Sequence, residues 1–290
     1  MSYRELYLTQ AASIKNIVSD KATKVKVFGV PFDSTSTFRA GSRFGPDAIR
    51  EAFNNIEIYS KRLGVDLETS NIDDIGNLAH TGDLGTIIRA ITEVSKELVK
   101  ENTVPGILGG EHTLTYGSFL AMPKGTSLLV FDAHLDLREE FADLKLSHAT
   151  YLRRIVEKDK DLKVFIVGGR AATKKEWEYA RLRNIQVLQP PSRKQLEEYV
   201  IEFKSMLKST EQLYVSIDLD VADPSYAPGV GNPEPGGLTS RELLELIYSL
   251  KGKKIAGFDI VELNPLMDNG SSAALSAKLL CELCCLQYVD

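Results

Sequence analysis

No part of the chain restricts its fold more than Leu128-Leu129-Val130-Phe131, an apolar run that passes directly into Asp132-Ala133-His134-Leu135-Asp136. A strand that is apolar at every position belongs inside a sheet covered on both faces. Within five residues it then offers three metal-ligating side chains, Asp132, His134 and Asp136, at a period of two. In extended backbone that period puts all three on one side, about 6.6 Å apart per step. Alone, the pattern also fits a solvated loop after a strand, so the remaining segments decide its meaning.

The same design recurs along the chain. Val25-Lys26-Val27-Phe28-Gly29-Val30 reads as a strand ending at Pro31, and Ser70–Asp74 as a short one. Pro105-Gly106-Ile107-Leu108 leads into Gly109-Gly110-Glu111-His112, whose glycines permit close packing beside the histidine. Val164–Val167 and Ile185–Leu188 are further strands; Leu213–Ile217 ends in Asp218-Leu219-Asp220, and Lys254–Glu262 is stopped by Asn264-Pro265. Between them, Leu84, Ile87, Ile88, Ile91, Val94, Leu98 and Val99 trace one face of a helix over 83–101. Helices are also expected from Pro46, over 149–158, 174–183 and 192–208, and from near Arg241, capped by Thr239 or Ser240. Strand and helix alternating in this way predict an α/β fold. The expected architecture is three-layer α/β/α with a mainly parallel sheet of about eight strands, one catalytic domain over residues 1–290, and a functional rim at the C-terminal strand edge.

Composition narrows the partners. With 290 residues, 43 % of them hydrophobic, neither disorder nor a fibre competes with a large core. A formal charge of −5 supplies no overall field for nucleic acid. No window approaches the roughly eighteen apolar residues of a membrane span, and Met1–Glu5 lacks the order of an export signal, so a cytoplasmic location is expected. Cys281, Cys284 and Cys285 lie in an apolar helical pattern, where small buried hydrophobes suffice to explain them. His80 stands in an ordinary loop.

In a parallel sheet His112, Asp132, His134, Asp136, Asp218 and Asp220 share one end of their strands. Four aspartates gathered without cations repel one another and resist ionisation, whereas two divalent ions neutralise them. Oxygen and imidazole donors without cysteine favour Mn²⁺ over a structural zinc site, with Co²⁺, Ni²⁺ and Zn²⁺ still open. A hydroxide bridging the two ions is then the natural nucleophile.

Gly109–His112, Asp132–Asp136, Ser216–Asp220 and Asp259–Pro265 together resemble the binuclear manganese ureohydrolases, the arginase and agmatinase family, and Phe32–Pro46 looks like the agmatinase form of an early loop. The resemblance implies that Asp132 and Asp218 bridge both ions, His112 and Asp136 completing one and His134 and Asp220 the other. It further implies that His148 is the catalytic histidine, that Glu262 holds the guanidinium of a small substrate, and that the chain forms a homo-oligomer, a trimer or hexamer. The activity expected is hydrolysis of agmatine to putrescine and urea. Arginine, guanidinobutyrate or guanidinopropionate as substrate, and an inactive metal-binding regulatory subunit, are the alternatives. Ser147-His148-Ala149-Thr150 departs from the commoner His-Gly form, and Gly168-Gly169-Arg170 from Gly-Ile-Arg. Arg138 either faces the pocket, favouring a carboxylate-bearing guanidino acid over agmatine, or points outward to Glu139 or Glu140.

Overall fold

Alternation along the buried strands sets the layers. In the computed structural model, which describes residues 2–9, 13–14, 22–191 and 195–289, Leu129 and Phe131 pack into one core while Leu128 and Val130 pack into another across the sheet. The first core joins strand side chains to Ile49, Phe53, Tyr199, Phe203, Leu246 and Leu279, and so brings the helices Gly45–Phe53, Leu196–Met206, Ser240–Tyr248 and Ser271–Leu286 onto one face. The opposite face is covered by Tyr151–Lys158 and Lys174–Leu182 at one side and Leu84–Lys100 at the other. Each fully buried Leu, Ile, Val or Phe contributes about 1.5–3 kcal/mol relative to exposure, so this double coverage drives the three-layer arrangement.

The strands are β1 (Leu8–Thr9), β2 (Val25–Val30), β3 (Tyr59–Ser60), β4 (Val65–Asp66), β5 (Ile72–Leu78), β6 (Val104–Gly109), β7 (Ser127–Phe131), β8 (Val164–Val167), β9 (Gln186–Leu188), β10 (Gln212–Asp218) and β11 (Lys254–Val261). Nine form one sheet in the order β1-β5-β2-β6-β11-β10-β7-β8-β9. All neighbours run parallel except β1, an antiparallel edge strand on β5. The eight parallel strands match the expected set; β1 and the small hairpin β3–β4 are additions too short for periodicity to reveal. The strand expected at 70–74 extends to Leu78. The helix expected over 192–208 is Leu196–Met206, with 192–194 outside the described residues. Thr173 and Thr239 each close a capping box with the glutamate three residues on, which fixes where two helices start.

No helix among the described residues is long and apolar enough to cross a membrane. Cys281, Cys284 and Cys285 lie on the last helix and are buried in the core.

Candidate metal centre

Four adjacent central strands, β6, β11, β10 and β7, present their C-terminal ends side by side. His112 follows β6, Glu262 follows β11, Asp218 closes β10 with Asp220 just beyond, and Asp132 follows β7. The β6 loop passes so close to the loop after β2 that a Cβ on Gly110 would stand 1.9 Å from Phe32 O, so only glycine fits before Glu111-His112. Asp136 and Glu262 adopt positive φ, 49° and 65°, a conformation disfavoured for side chains with a Cβ and met at functional sites.

Those ends bring the histidines and aspartates together as two clusters, His112/Asp132/Asp218 and Asp132/His134/Asp220. His112 Nδ1 lies 3.0 Å from Asp132 Oδ2, 3.1 Å from Asp218 Oδ2 and 3.6 Å from Asp136 Oδ2. His134 Nδ1 lies 2.8 Å from Asp220 Oδ2 and 3.6 Å from Asp132 Oδ1. Asp132 therefore turns one oxygen to each cluster. Backbone amides hold these carboxylates: Ala133 N–H donates to Asp220 Oδ1 at 3.0 Å, and Asp220 N–H to Asp218 Oδ1 at 2.9 Å. In each case the other oxygen is left facing inward.

A second layer orients His112. Its Nε2 stands 2.9 Å from Ser216 Oγ and 2.8 Å from Tyr151 OH. Ser216 gives its proton to Asp259 Oδ1 at 2.6 Å, and Asp259 Oδ2 accepts from Tyr214 OH and Thr115 Oγ1. With its proton committed, Ser216 accepts from His112 Nε2–H, which leaves Nδ1, turned toward Asp132 and Asp218, as the nitrogen available to a cation. On the other histidine, the Asn232 amide lies 3.0 Å from His134 Nε2.

The electrostatics of this group ask for cations. Burial first, then neighbouring carboxylates, raise Asp136 and Asp218 well above the ordinary carboxylate range. Burial opposes a charge on His112, but Asp132 and Asp218 outweigh it and raise the imidazole well above its usual range. For His134, burial is likewise overcome by Asp220 and Asp132. Asp132 is lowered because its contacts to His112 and His134 outweigh its burial. Without cations, then, Asp136, Asp218, His112 and His134 are pushed toward their protonated forms, whereas Asp132 is not. His112 Nδ1 and Asp132 Oδ2 are buried yet have no well-formed hydrogen bond, a costly arrangement that a bound cation removes. Carboxylate and imidazole donors without a thiolate fit a pair of divalent ions.

The clusters form the floor of a cavity of about 530 Å³ whose walls include His148, Glu262, Arg138, Phe141, Glu176 and Asn232. Glu262 Oε1 accepts the His112 backbone N–H at 2.7 Å, and Oε2 looks toward Gly231, where the missing side chain keeps space open. Burial, with Asp218 and Glu111 adding, raises the Glu262 carboxyl well above its usual range. His148 is lowered to about 4, chiefly by burial, with the positive charges of His134, His112 and Arg138 adding against an opposing contact from Thr35. Arg138 turns to Glu176, 3.7 Å from Nε to Oε2, and stacks on Phe141 with its guanidinium 4.7 Å from the ring centre. The outward partner Glu139 is engaged instead by Arg153.

All eight expected site residues, and Arg138, thus meet at one rim. Sequence reasoning did not pick out Ser216 and Asp259 as a support for His112, Asn232 beside His134, or Glu176 on the cavity wall. Ser216 and Asp259 did leave a trace, as polar residues inside otherwise apolar strands.

Fold and centre together define a parallel-sheet α/β/α protein built to hold a pair of cations at the C-terminal strand edge. The family model described as the arginase family matches residues 23–285. N(1)-aminopropylagmatine ureohydrolase of Thermococcus kodakarensis is 39 % identical over 270 residues, 91 % of each chain. Agmatinase of Pyrococcus horikoshii is 38 % identical over 258 residues, 88 % of each. The solved structure of the agmatine ureohydrolase of Thermoplasma volcanium superposes with a TM-score of 0.86, at 34 % identity over 95 % of both chains. The chain belongs to the arginase family of metal-dependent ureohydrolases.

Proposed function

We propose that this chain hydrolyses agmatine to putrescine and urea, using two Mn²⁺ ions held by His112, Asp132, His134, Asp136, Asp218 and Asp220. The observation that carries the reading is the shared carboxylate, Asp132, with one oxygen in each of two histidine-containing clusters on the floor of a cavity. The similarity to ureohydrolases named for agmatine and aminopropylagmatine supports the substrate class.

The guanidinium carbon is a poor electrophile because its charge is delocalised, so the reaction needs a placed nucleophile and support for developing charge. Two divalent ions, when bound, lower the pKa of a shared water so that it can attack near neutral pH. The chain's own residues do the rest. Glu262 Oε2, left free by the Oε1 contact to His112 N–H, accepts a guanidinium N–H and fixes the carbon above the floor. His148, neutral at pH 7, takes a proton in the cavity and delivers it to the departing alkyl nitrogen as the C–N bond breaks. Urea and a primary amine are the products.

A second reading, hydrolysis of a guanidino acid, is favoured by Arg138. Its cation on the cavity wall would pair with a substrate carboxylate and oppose a terminal ammonium, although Glu176 beside it offers the reverse preference. Urea release by Mn²⁺-loaded protein from agmatine, N1-aminopropylagmatine, arginine, guanidinobutyrate and guanidinopropionate tests both. Agmatine or its aminopropyl derivative should lead. Urea from the acids alone selects the second reading, and no urea from any of them defeats both.

A further inference from the structure

The loop after β2 does more than close the cavity. Thr35, buried in that loop, lies between a buried carboxylate and His148. Glu111 Oε2 accepts the Thr35 backbone N–H at 2.7 Å, and its Oε1 stands 2.6 Å from both Thr35 Oγ1 and Thr113 Oγ1. Thr35 Oγ1 also lies 3.1 Å from the backbone N of His148 and 3.3 Å from its Nδ1.

A hydroxyl has one proton to give. The carboxylate oxygen at 2.6 Å is much the shorter and stronger acceptor for it than an imidazole nitrogen at 3.3 Å. Thr113 Oγ1, 3.2 Å from Thr35 Oγ1, likewise commits its proton to Glu111 Oε1, so the two contacts to His148 require Thr35 Oγ1 to accept. The backbone N–H of His148 supplies one donor, and the second can only be Nδ1–H. The edge of Phe141, 5.6 Å from the imidazole centre at 86°, steadies the ring from another side.

We propose that Thr35 is a positioning residue that fixes the tautomer of His148, placing its proton on Nδ1 and leaving Nε2 as the nitrogen that exchanges protons. The chain Glu111–Thr35–His148 thus does for a cavity histidine what a carboxylate does directly in a hydrolase triad, with a threonine hydroxyl as the intermediary. The catalytic consequence rests on the proposed function above, whereas the tautomer itself does not.

The test therefore has two independent arms. In the full chain labelled with ¹⁵N-histidine and loaded with diamagnetic Zn²⁺, only four rings contribute, and His148 is assigned by the signals lost in His148→Asn. The wild type should show His148 protonated at Nδ1; Thr35→Val should move the proton to Nε2 or mix the two forms, and Thr35→Ser should restore Nδ1. On the Mn²⁺ enzyme, Thr35→Val should lower kcat about 10- to 100-fold, part of the 10²–10⁴ that a placed proton carrier contributes. KM should stay within about twofold, and Thr35→Ser should recover most of the rate. A wild-type His148 protonated at Nε2, or a Thr35→Val spectrum unchanged at His148, overturns the proposal. Failure of every guanidine to yield urea would overturn the proposed function and leave the spectroscopic arm to decide this one.

Discussion

Replacing Ser216 with Ala removes a single oxygen atom from the layer behind the metal centre, and the structure sets the size of the effect. Ser216 is fully buried, accepts from His112 Nε2 at 2.9 Å and donates to Asp259 Oδ1 at 2.6 Å. Alanine leaves His112 Nε2 with Tyr151 OH alone and Asp259 Oδ1 without its hydroxyl donor, while Tyr214 and Thr115 still serve Oδ2. A buried acceptor stripped of its donor costs about 1–3 kcal/mol, which should appear as lost stability of the metal-free protein in urea titration. Loss of an outer partner of a ligating imidazole typically weakens metal binding 10- to 100-fold, or about 1.4–2.7 kcal/mol. The loss should fall on one ion, because His112 contacts only the Asp132/Asp218/Asp136 side, while His134 and Asp220 keep their own supports. Competition titration with a chelator, read by metal analysis, should give one weakened and one nearly normal affinity. Two unaltered affinities would refute the orienting role of Ser216, and two equally weakened ones would refute the division of ligands between His112 and His134.

Other expectations follow from particular contacts. His148→Asn should keep both ions but lower kcat by about 10²–10⁴, as measured by urea release; near-normal turnover would exclude it as the proton carrier. Arg138→Ala should raise the rate on agmatine relative to guanidinobutyrate, with little change in stability because the Glu176 pair is partly exposed, and an unchanged ratio would remove Arg138 from specificity. Arg170 donates to the carbonyls of Gly168, Asp220, Val221, Glu234 and Pro235, tying the loop that carries Asn232 to the sheet; Arg170→Ala should cost roughly 3 kcal/mol or more in urea unfolding. In metal-free protein, Asp136, Asp218 and Glu262 are raised above their unfolded values, as are His112 and His134. The native state then holds more protons than the unfolded chain, so the stability present below the unfolded values, about 4 for the carboxyls and about 6.5 for the imidazoles, should decline as pH rises above them. Asp132, lowered instead, acts only below about pH 4, and saturating Mn²⁺ should flatten the decline.

What could be read from the chain differed by the range of the interactions concerned. The strand-end ligands were legible because each sits beside an apolar run, as Asp132 beside Leu128–Phe131 and Asp218 beside Leu213–Ile217, so parallel pairing alone carries them to one edge. The mainly parallel sheet followed from the same runs, whereas β1, two residues long, has no period to detect. The support behind the ligands was hidden because its members are far apart in sequence: Ser216 reaches His112 across 104 residues, and Asn232 reaches His134 across 98. Glu176 was masked by a local role, since it closes the capping box with Thr173 and also faces the cavity. The orientation of Arg138 depended on that hidden glutamate, and the neighbouring Glu139 and Glu140 were misleading partners.

The central claim is that side chains from the ends of β6, β10 and β7 surround a pair of cations sharing Asp132. Anomalous scattering from crystals of the Mn²⁺-loaded protein measures this directly. Two peaks roughly 3.5–4 Å apart, one beside His112 Nδ1 and one beside His134 Nδ1 with an Asp132 oxygen at each, are the predicted result. A single peak, or peaks away from Asp132, would contradict it.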